Sequence, residues 1–294
     1  RFSSNEQFAD YLNLFSGPQE LFQSLKYQPQ TVDKYSRILD DYIAFEQLLE
    51  GCAVRSGYEI NFYLVPGSST EIFGVVRLVL PGSNADAAGL ERGQLFYGVN
   101  GTPLNRNNIN ELFSSDSYTI NLASYNDNGT SETNDDTIIQ ESETILLTKA
   151  SFCENPIYTT DILTVEGENV AYLMYNGFVS DYNNQLNAVF ADFRSNNVQH
   201  LVLDLRYNPG GSVNTSILLA SLITGQFTGE IHSTEQWNSD IQTAFFNQNP
   251  ENLINRFTNT LNNNSINSLF LNKVYVLTTG DSASASELLI NTLK

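Results

Sequence analysis

The chain has 294 residues, 41% of them apolar, with 33 acidic against 14 basic residues and a formal net charge of -19 at pH 7. That length and apolar fraction support more than one core. The charge argues against nucleic acid, which requires clustered Lys and Arg, and against an anionic membrane surface; no apolar run approaches the roughly 20 residues of a membrane span.

The chain opens on Arg1-Phe2-Ser3 without a methionine or a visible signal peptide, which suggests that a leader or earlier segment is missing. Residues 1–50 read as a small helical segment. Phe8, Tyr11, Leu12 and Phe15 repeat at helix spacing, Pro18 sits where a new helix can start, and Leu21, Phe22 and Leu25 continue the pattern. Val32-Asp33-Lys34-Tyr35-Ser36 follows, then an acidic helical stretch from Ile38 to Leu49, read as packing scaffold.

Cys52 and Cys153 are the only cysteines. Neither lies in a C-x-x-C pair or beside a histidine, so no metal site is expected, and the reading favours two buried free thiols; a disulfide between them stays open.

Residues 51–150 resemble a PDZ domain. The run Gly74-Val-Val-Arg-Leu-Val-Leu-Pro-Gly reads as a strand that leads to a short helix over Ala85 to Ala88, and Asn100-Gly101 is a hairpin-type turn. The resemblance implies capture of a peptide carboxylate by backbone N–H groups and addition of the peptide as a strand. The candidate loop is Arg55-Ser56-Gly57-Tyr58-Glu59, which makes Ser56, Gly57 and Tyr58 the peptide-binding candidates. Glu59 is a poor neighbour for an anion, and Arg55 is the residue available to offset it. The other reading is a regulatory or merely structural domain. Tyr125 to Asp136 is polar and acidic and reads as a solvated hairpin loop; Asp127, Asp135 and Asp136 lack the regular spacing of a calcium site. Thr144 to Ala150 is an apolar strand.

Residues 151–294 alternate strand and helix, which indicates a largely parallel sheet. Asn169 to Phe178 reads as a strand, the next helix carries Leu186, Val189, Phe190 and Phe193 on one face, and a strand over Leu201 to Leu205 precedes a helix over Val213 to Ile223. Asn247 to Asn267 reads as helical or irregular, and Lys273 to Thr279 is the last strand.

Two strand-to-helix turns carry the chemistry. In Leu201 to Gly211, LVLDLRYNPGG, a buried strand ends in a turn where Pro209 fixes one φ and Gly210-Gly211 permits close backbone approach. Asp204 and Arg206 read as residues that hold this turn. In Lys273 to Lys294, a strand ends at Gly280-Asp281, and Ser282-Ala283-Ser284-Ala285-Ser286-Glu287 precedes a helix marked by Leu288, Leu289, Ile290 and Leu293. Alone, Asp281 or Ser282 with Glu287 is an ordinary helix cap. A serine there also has the free N–H groups of a first helical turn beside it, and in α/β sheets ligands sit where such turns gather.

Together, DLRYNPGG and GDSASASELL resemble the carboxy-terminal processing (tail-specific) peptidase family, serine peptidases with a Ser-Lys dyad. The resemblance implies a crotonase-like α/β core preceded by the helical segment, in which an Asp-x-Tyr/Phe-Ser element similar to Asp33 to Ser36 occurs, and by the PDZ domain. It makes Ser284 the nucleophile and Ser282 and Ser286 its non-nucleophilic neighbours. The backbone N–H of Ala285, with one from Gly210 or Gly211, forms the oxyanion hole. The implied substrate is a protein or peptide recognised at its C-terminal end, with no cofactor and no metal, in an extracytoplasmic location. The family's lysine base lies about two dozen residues beyond the serine, whereas Lys294 is ten residues on and about 15 Å away along a helix axis. The chain therefore reads as truncated before its base. His200 and His232 offer a Ser-His-Asp alternative that nothing in the spacing supports. The competing function is a catalytically inactive peptide-binding or scaffold protein. Oligomeric state is not readable from the sequence.

Overall fold

The computed structural model describes residues 2–294, which divide into two compact units, one ending at Gln47 and the other spanning Leu48–Lys294. The first contains helices α1 (Asn5–Leu12) and α2 (Pro18–Leu25). The Ser4 side chain caps α1 by accepting the Gln7 N–H, and Pro18 occupies the first turn of α2, where its missing N–H costs nothing. The Asp33 carboxylate accepts the Ser36 N–H at 3.2 Å. Helix α3 spans Tyr42–Leu49.

The second unit begins with β1 (Cys52–Arg55), β2 (Tyr58–Leu64), β3 (Ile72–Val79), the short helix α4 (Asn84–Ala87), β4 (Leu95–Val99), β5 (Thr102–Pro103), α5 (Ile109–Leu112), β6 (Ser117–Asn126) and β7 (Thr137–Thr148). An antiparallel sheet runs β2-β3-β4-β6-β7, with β5 paired to β4, and β2 is its edge. Val76, Phe96, Val99, Leu104, Ile120 and Leu147 form its core. Asn100 and Gly101 both have positive φ, as the two-residue turn between β4 and β5 requires. The acidic stretch 127–136 is the loop joining β6 to β7.

Strand β8 (Ala150–Cys153) returns to pair with β1, with Cys52 directly opposite Cys153. The two cysteines form a disulfide, and neither is fully buried. The expected free thiols are thus corrected. Closure of the β-rich segment brings its two ends side by side, a long-range pairing across 101 residues to which local spacing is blind.

The remainder comprises β9 (Ile157–Val165), β10 (Glu168–Tyr175), α6 (Asn183–Ser195), β11 (His200–Asp204), α7 (Val213–Thr224), β12 (Ile231–Thr234), α8 (Ser239–Gln248), β13 (Ile254–Arg256), β14 (Thr260–Leu261), β15 (Asn264–Ser265), β16 (Val274–Leu277) and α9 (Ala285–Thr292). The sheet order is β16-β11-β10-β9, parallel at β16/β11 and β11/β10 and antiparallel at β10/β9. Leu186, Phe190 and Phe193 of α6 pack into the core with Leu201, Leu203, Leu205 and α7. From Thr215 to Thr224, α7 is buried on every side, which its apolar residues permit because the Ser221 and Thr224 hydroxyls donate to the helix's own Ile217 and Ala220 carbonyls. The stretch 247–267 is irregular, with a 3-10 turn at Pro250–Leu253 and three short strands.

The β-rich segment and this sheet share a small core of Leu78, Leu80 and Met174, flanked by Phe152, Tyr158, Tyr172 and Tyr207. The Tyr158 hydroxyl donates to the Val79 carbonyl at 3.0 Å, and the Tyr207 hydroxyl donates to the Arg77 carbonyl at 3.3 Å. Strand β3 is thereby tied to the turn that follows β11.

Candidate active site

Strands β11 and β16 are parallel neighbours, so the turns after them emerge at the same end of the sheet. After β11 the chain passes through Asp204, Arg206, Asn208 and the glycine pair. Asp204 is only 1% exposed and accepts hydrogen bonds from the Arg206 Nε and Nη2 and from the Tyr172 hydroxyl. Burial pushes its carboxyl up, but these donors outweigh burial and hold it below the usual carboxylate range. Asp204 and Arg206 therefore brace the turn.

Fully buried Asn208 organises the next step. Its side-chain amide donates to the Tyr175 carbonyl at 2.8 Å and accepts the Gly210 N–H at 2.8 Å. Gly210 and Gly211 have φ of 106° and 135°, a region L-residues rarely enter. A Cβ on Gly210 would lie 2.6 Å from the Ser284 Cβ and 2.7 Å from the Ala283 carbonyl oxygen. One on Gly211 would lie 2.4 Å from the Phe178 carbonyl oxygen. The two turns thus touch backbone to backbone, and only glycine fits between them.

The second turn is fastened to the first by its flanking serines. The Ser282 hydroxyl donates to the Leu205 carbonyl at 2.7 Å, and the Ser286 hydroxyl donates to the Asn208 carbonyl at 3.1 Å. Thr279 adds a bond to the Arg206 carbonyl at 2.6 Å. Ser284 differs: it is exposed, and its hydroxyl donates to no other group among the described residues. Its φ of 55° and ψ of -114° mark it as one of the few non-glycine residues at positive φ. Such strain costs of order 1–3 kcal/mol and persists only where the surroundings enforce it. The Glu287 carboxylate accepts the Ser284 N–H at 3.0 Å, closing the first turn of α9 from below.

The backbone donors sort in the same way. The Gly210 N–H is committed to Asn208 and the Ser286 N–H to Ala283, while the N–H groups of Gly211 and Ala285 have no acceptor among the described residues. In its parallel bridge to Phe178, Gly211 turns its own N–H away from that residue. Of the two glycines proposed as donors, Gly211 is the free one.

No lysine or histidine hydrogen-bonds to Ser284 among the described residues. His200 begins β11 and pairs with Glu168 at 2.5 Å. His232 is buried on β12; its carbonyl accepts from the Thr292 hydroxyl at the opposite end of α9, roughly 12 Å along the helix axis from Ser284.

The second candidate site lies in the β-rich segment. Ser56 and Gly57 are buried between β1 and β2. The Ser56 carbonyl accepts the Ala85 N–H, and the Gly57 carbonyl accepts the Leu80 N–H and the Ser83 hydroxyl. Their own N–H groups have no acceptor among the described residues. Tyr58 begins β2, and its hydroxyl lies 3.0 Å from that of Tyr118. Arg55 does not offset Glu59: its guanidinium pairs at 3.1 Å with the half-buried carboxylate of Glu154, which also accepts from the Asn176 side-chain amide. Glu59 is neutralised by Arg77 at 2.7 Å, a pairing across β2 and β3 that only sheet register reveals.

Comparison with known proteins bears on this geometry. Residues 169–294, which carry both turns, match the model of peptidase family S41. A carboxyl-terminal-processing protease from Picosynechococcus sp. is 25% identical over 202 residues, covering 67% of this chain and 45% of that protein, so the chain spans under half of that relative's length. A solved structure from Bacteroides fragilis, provisionally assigned to the S41 proteases, superposes with a TM-score of 0.71 at 25% identity, covering 95% of this chain and 69% of that one. Residues 169–294 are therefore similar to peptidase family S41, and the chain is similar to a carboxyl-terminal-processing protease.

Proposed function

We propose that the chain is part of a serine endopeptidase in which Ser284 is the nucleophile. The observation that carries this reading is the strained, exposed Ser284 pressed against Gly210, its hydroxyl donating to no other group among the described residues while those of Ser282 and Ser286 are spent on the neighbouring turn. The Ser284 Oγ attacks the scissile carbonyl and gives its proton to the base. The tetrahedral oxyanion accepts hydrogen bonds from the N–H groups of Ala285 and Gly211, each worth roughly 2.7–4 kcal/mol of barrier. The C–N bond then breaks, the amine leaves with the proton, and water hydrolyses the acyl-enzyme. The base in this reading is a lysine, used neutral because burial lowers its pKa, and supplied by the part of the longer relatives that this chain does not span.

Three further parts belong to the same proposal. Residues 1–50, 51–150 and 151–294 act as a helical segment, a PDZ-like domain and a crotonase-like peptidase core. Substrates are proteins or peptides offered by their C-terminal ends, the end carboxylate meeting the Ser56 and Gly57 N–H groups and the peptide adding to the free edge of β2. The location is extracytoplasmic, which the Cys52–Cys153 disulfide favours.

The test is peptide hydrolysis by this chain and by the full-length natural protein, each with a Ser284→Ala control. Hydrolysis by the longer protein that disappears in Ser284→Ala is the expected outcome. Binding of C-terminal peptides without serine-dependent hydrolysis would favour the inactive peptide-binding protein instead.

A further inference from the structure

Three guanidinium groups gather around one aromatic ring beside the candidate site. Tyr207 lies in the turn between Asp204 and Gly211, and its ring centroid is 5.2 Å from the guanidinium of Arg77, 5.8 Å from that of Arg92 and 6.0 Å from that of Arg206. Two of the three are neutralised: Arg77 by Glu59 and Asp281, Arg206 by buried Asp204. Arg92, in the turn before β4, is exposed and pairs with no carboxylate among the described residues.

The position of Arg92 is what separates it from other unpaired cations of the chain. The ring it approaches is half-buried between β3 and the turn after β11, through the Tyr207 hydrogen bond to the Arg77 carbonyl. The next residue, Asn208, accepts from Ser286 through its carbonyl and from Gly210 through its side chain. Arg92 therefore stands where the β-rich segment meets the turn that carries Gly211, one of the two proposed oxyanion donors. A guanidinium resting against an aromatic ring has given up part of its rotamer freedom, which lowers the ordering cost of meeting an anion. Its planar fork matches a carboxylate. With a net charge of -19, the chain repels acidic peptides at long range, so acceptance of one needs a local cation.

We propose that Arg92 is a specificity-determining residue that binds an Asp or Glu side chain of the polypeptide substrate as it passes from the PDZ-like segment toward Ser284. This rests on the peptidase reading, in which the chain end is held at Ser56 and Gly57, so that an internal carboxylate is the one to reach Arg92.

The test uses the full-length natural protein carrying Ser284→Ala, titrated by fluorescence anisotropy with labelled peptides that hold one Glu at successive positions, their Gln twins, and C-terminally amidated versions of both. At one position the Glu peptide should bind about two- to fivefold more tightly than its Gln twin, the range of an exposed ion pair. The preference should vanish in Arg92→Gln, survive in part in Arg92→Lys, shrink in high salt and persist on amidation. Arg92→Gln weakening both twins equally, or leaving the preference intact, would overturn the proposal. A preference lost on amidation would overturn it too, by assigning the carboxylate to the chain end. Hydrolysis of the Gln twins by the protein with Ser284 intact reports separately on the peptidase reading. If no serine-dependent hydrolysis occurs while the Arg92-dependent preference remains, the peptidase reading fails and the carboxylate site stands.

Discussion

Arg77 on β3 pairs with Asp281, the residue three before Ser284, while its other guanidinium nitrogens pair with Glu59, the residue after Tyr58 in the proposed peptide loop. One side chain therefore joins the two candidate sites. Burial opposes its charge, but the hydrogen bonds its guanidinium donates to Asp281 and Glu59 hold its pKa above the usual arginine range. The groups are partly exposed, so solvent screening keeps their direct contribution to stability near 1 kcal/mol or below.

From that relationship, Arg77→Leu should leave Glu59 and Asp281 as unneutralised like charges and lower the melting temperature by a few degrees. It should reduce peptide hydrolysis by a larger factor than its stability loss explains, because the Asp281 turn loses its tie to β3. Asp281→Asn keeps a hydrogen-bond acceptor and should cost less. Hydrolysis rates and melting curves measured side by side check this; equal hydrolysis in Arg77→Leu and the parent would remove the coupling.

Gly210→Ala and Ser284→Gly should move stability in opposite directions. The first adds a Cβ within 3 Å of three atoms of the Ser284 turn and holds alanine at a φ of 106°. Strain and overpacking each cost of order 1–3 kcal/mol, so the variant should melt several degrees lower and lose hydrolysis by at least about a hundredfold. Ser284→Gly releases the positive φ and should raise stability by about 1 kcal/mol while abolishing turnover. Ser284→Ala, which keeps the strain, should not be stabilised. Chemical denaturation of the three variants decides, and a Ser284→Gly variant less stable than Ser284→Ala would contradict the strain argument.

Much of this arrangement is legible in the sequence because its determinants are local. Apolar spacing marks α6 and α7, glycine and serine runs mark the turns after β11 and β16, and the order of those turns carries the family resemblance. What was not legible depends on chain pairing at long range. Strand β9 is the antiparallel edge of the sheet, and with no residue fully buried it gives no clear core signal. Helix α8 buries no residue fully and so lacks an apolar face to read. The choice of Gly211 over Gly210 as free donor turns on the Asn208 side chain folding back onto its own turn. The Glu59–Arg77 and Arg55–Glu154 pairings follow from strand register and from β1 meeting β8.

Acid should destabilise the chain in two stages of known sign. Burial of His232, with its Nε2 unpartnered, lowers its pKa from the ordinary 6.5, so the unfolded state binds the proton first. Its contribution is complete above about pH 6.5 and falls as pH drops below that value. Asp204, whose folded pKa is held down by Arg206 and Tyr172 against the effect of burial, contributes above the unfolded value of about 3.9 and is lost as pH falls through its folded pKa. Melting temperature measured from pH 8 to pH 3 should decline in both windows. His232→Phe should flatten the upper window and leave the lower one unchanged; an upper window that persists in His232→Phe would remove this residue as its cause.

The Cys52–Cys153 disulfide closes a loop of about 100 residues around the whole β-rich segment, since β1 and β8 are its two ends. Cross-linking a loop of that size restricts the unfolded chain by as much as about 4.7 kcal/mol in the loop-entropy model, with measured values spread over 0–5 kcal/mol. The Arg55–Glu154 pair and the β1/β8 ladder hold the same junction without the bond. Replacing both cysteines with serine should therefore lower global stability by about 2–4 kcal/mol yet preserve the fold. Limited proteolysis should then cut first near residues 50–56 and 150–156, where the strand pair has lost its covalent tie. Mass spectrometry of the denatured, unreduced protein should find both cysteines blocked to alkylation; two alkylated thiols would overturn the pairing, and unchanged stability in the double variant would show that the ladder and ion pair suffice.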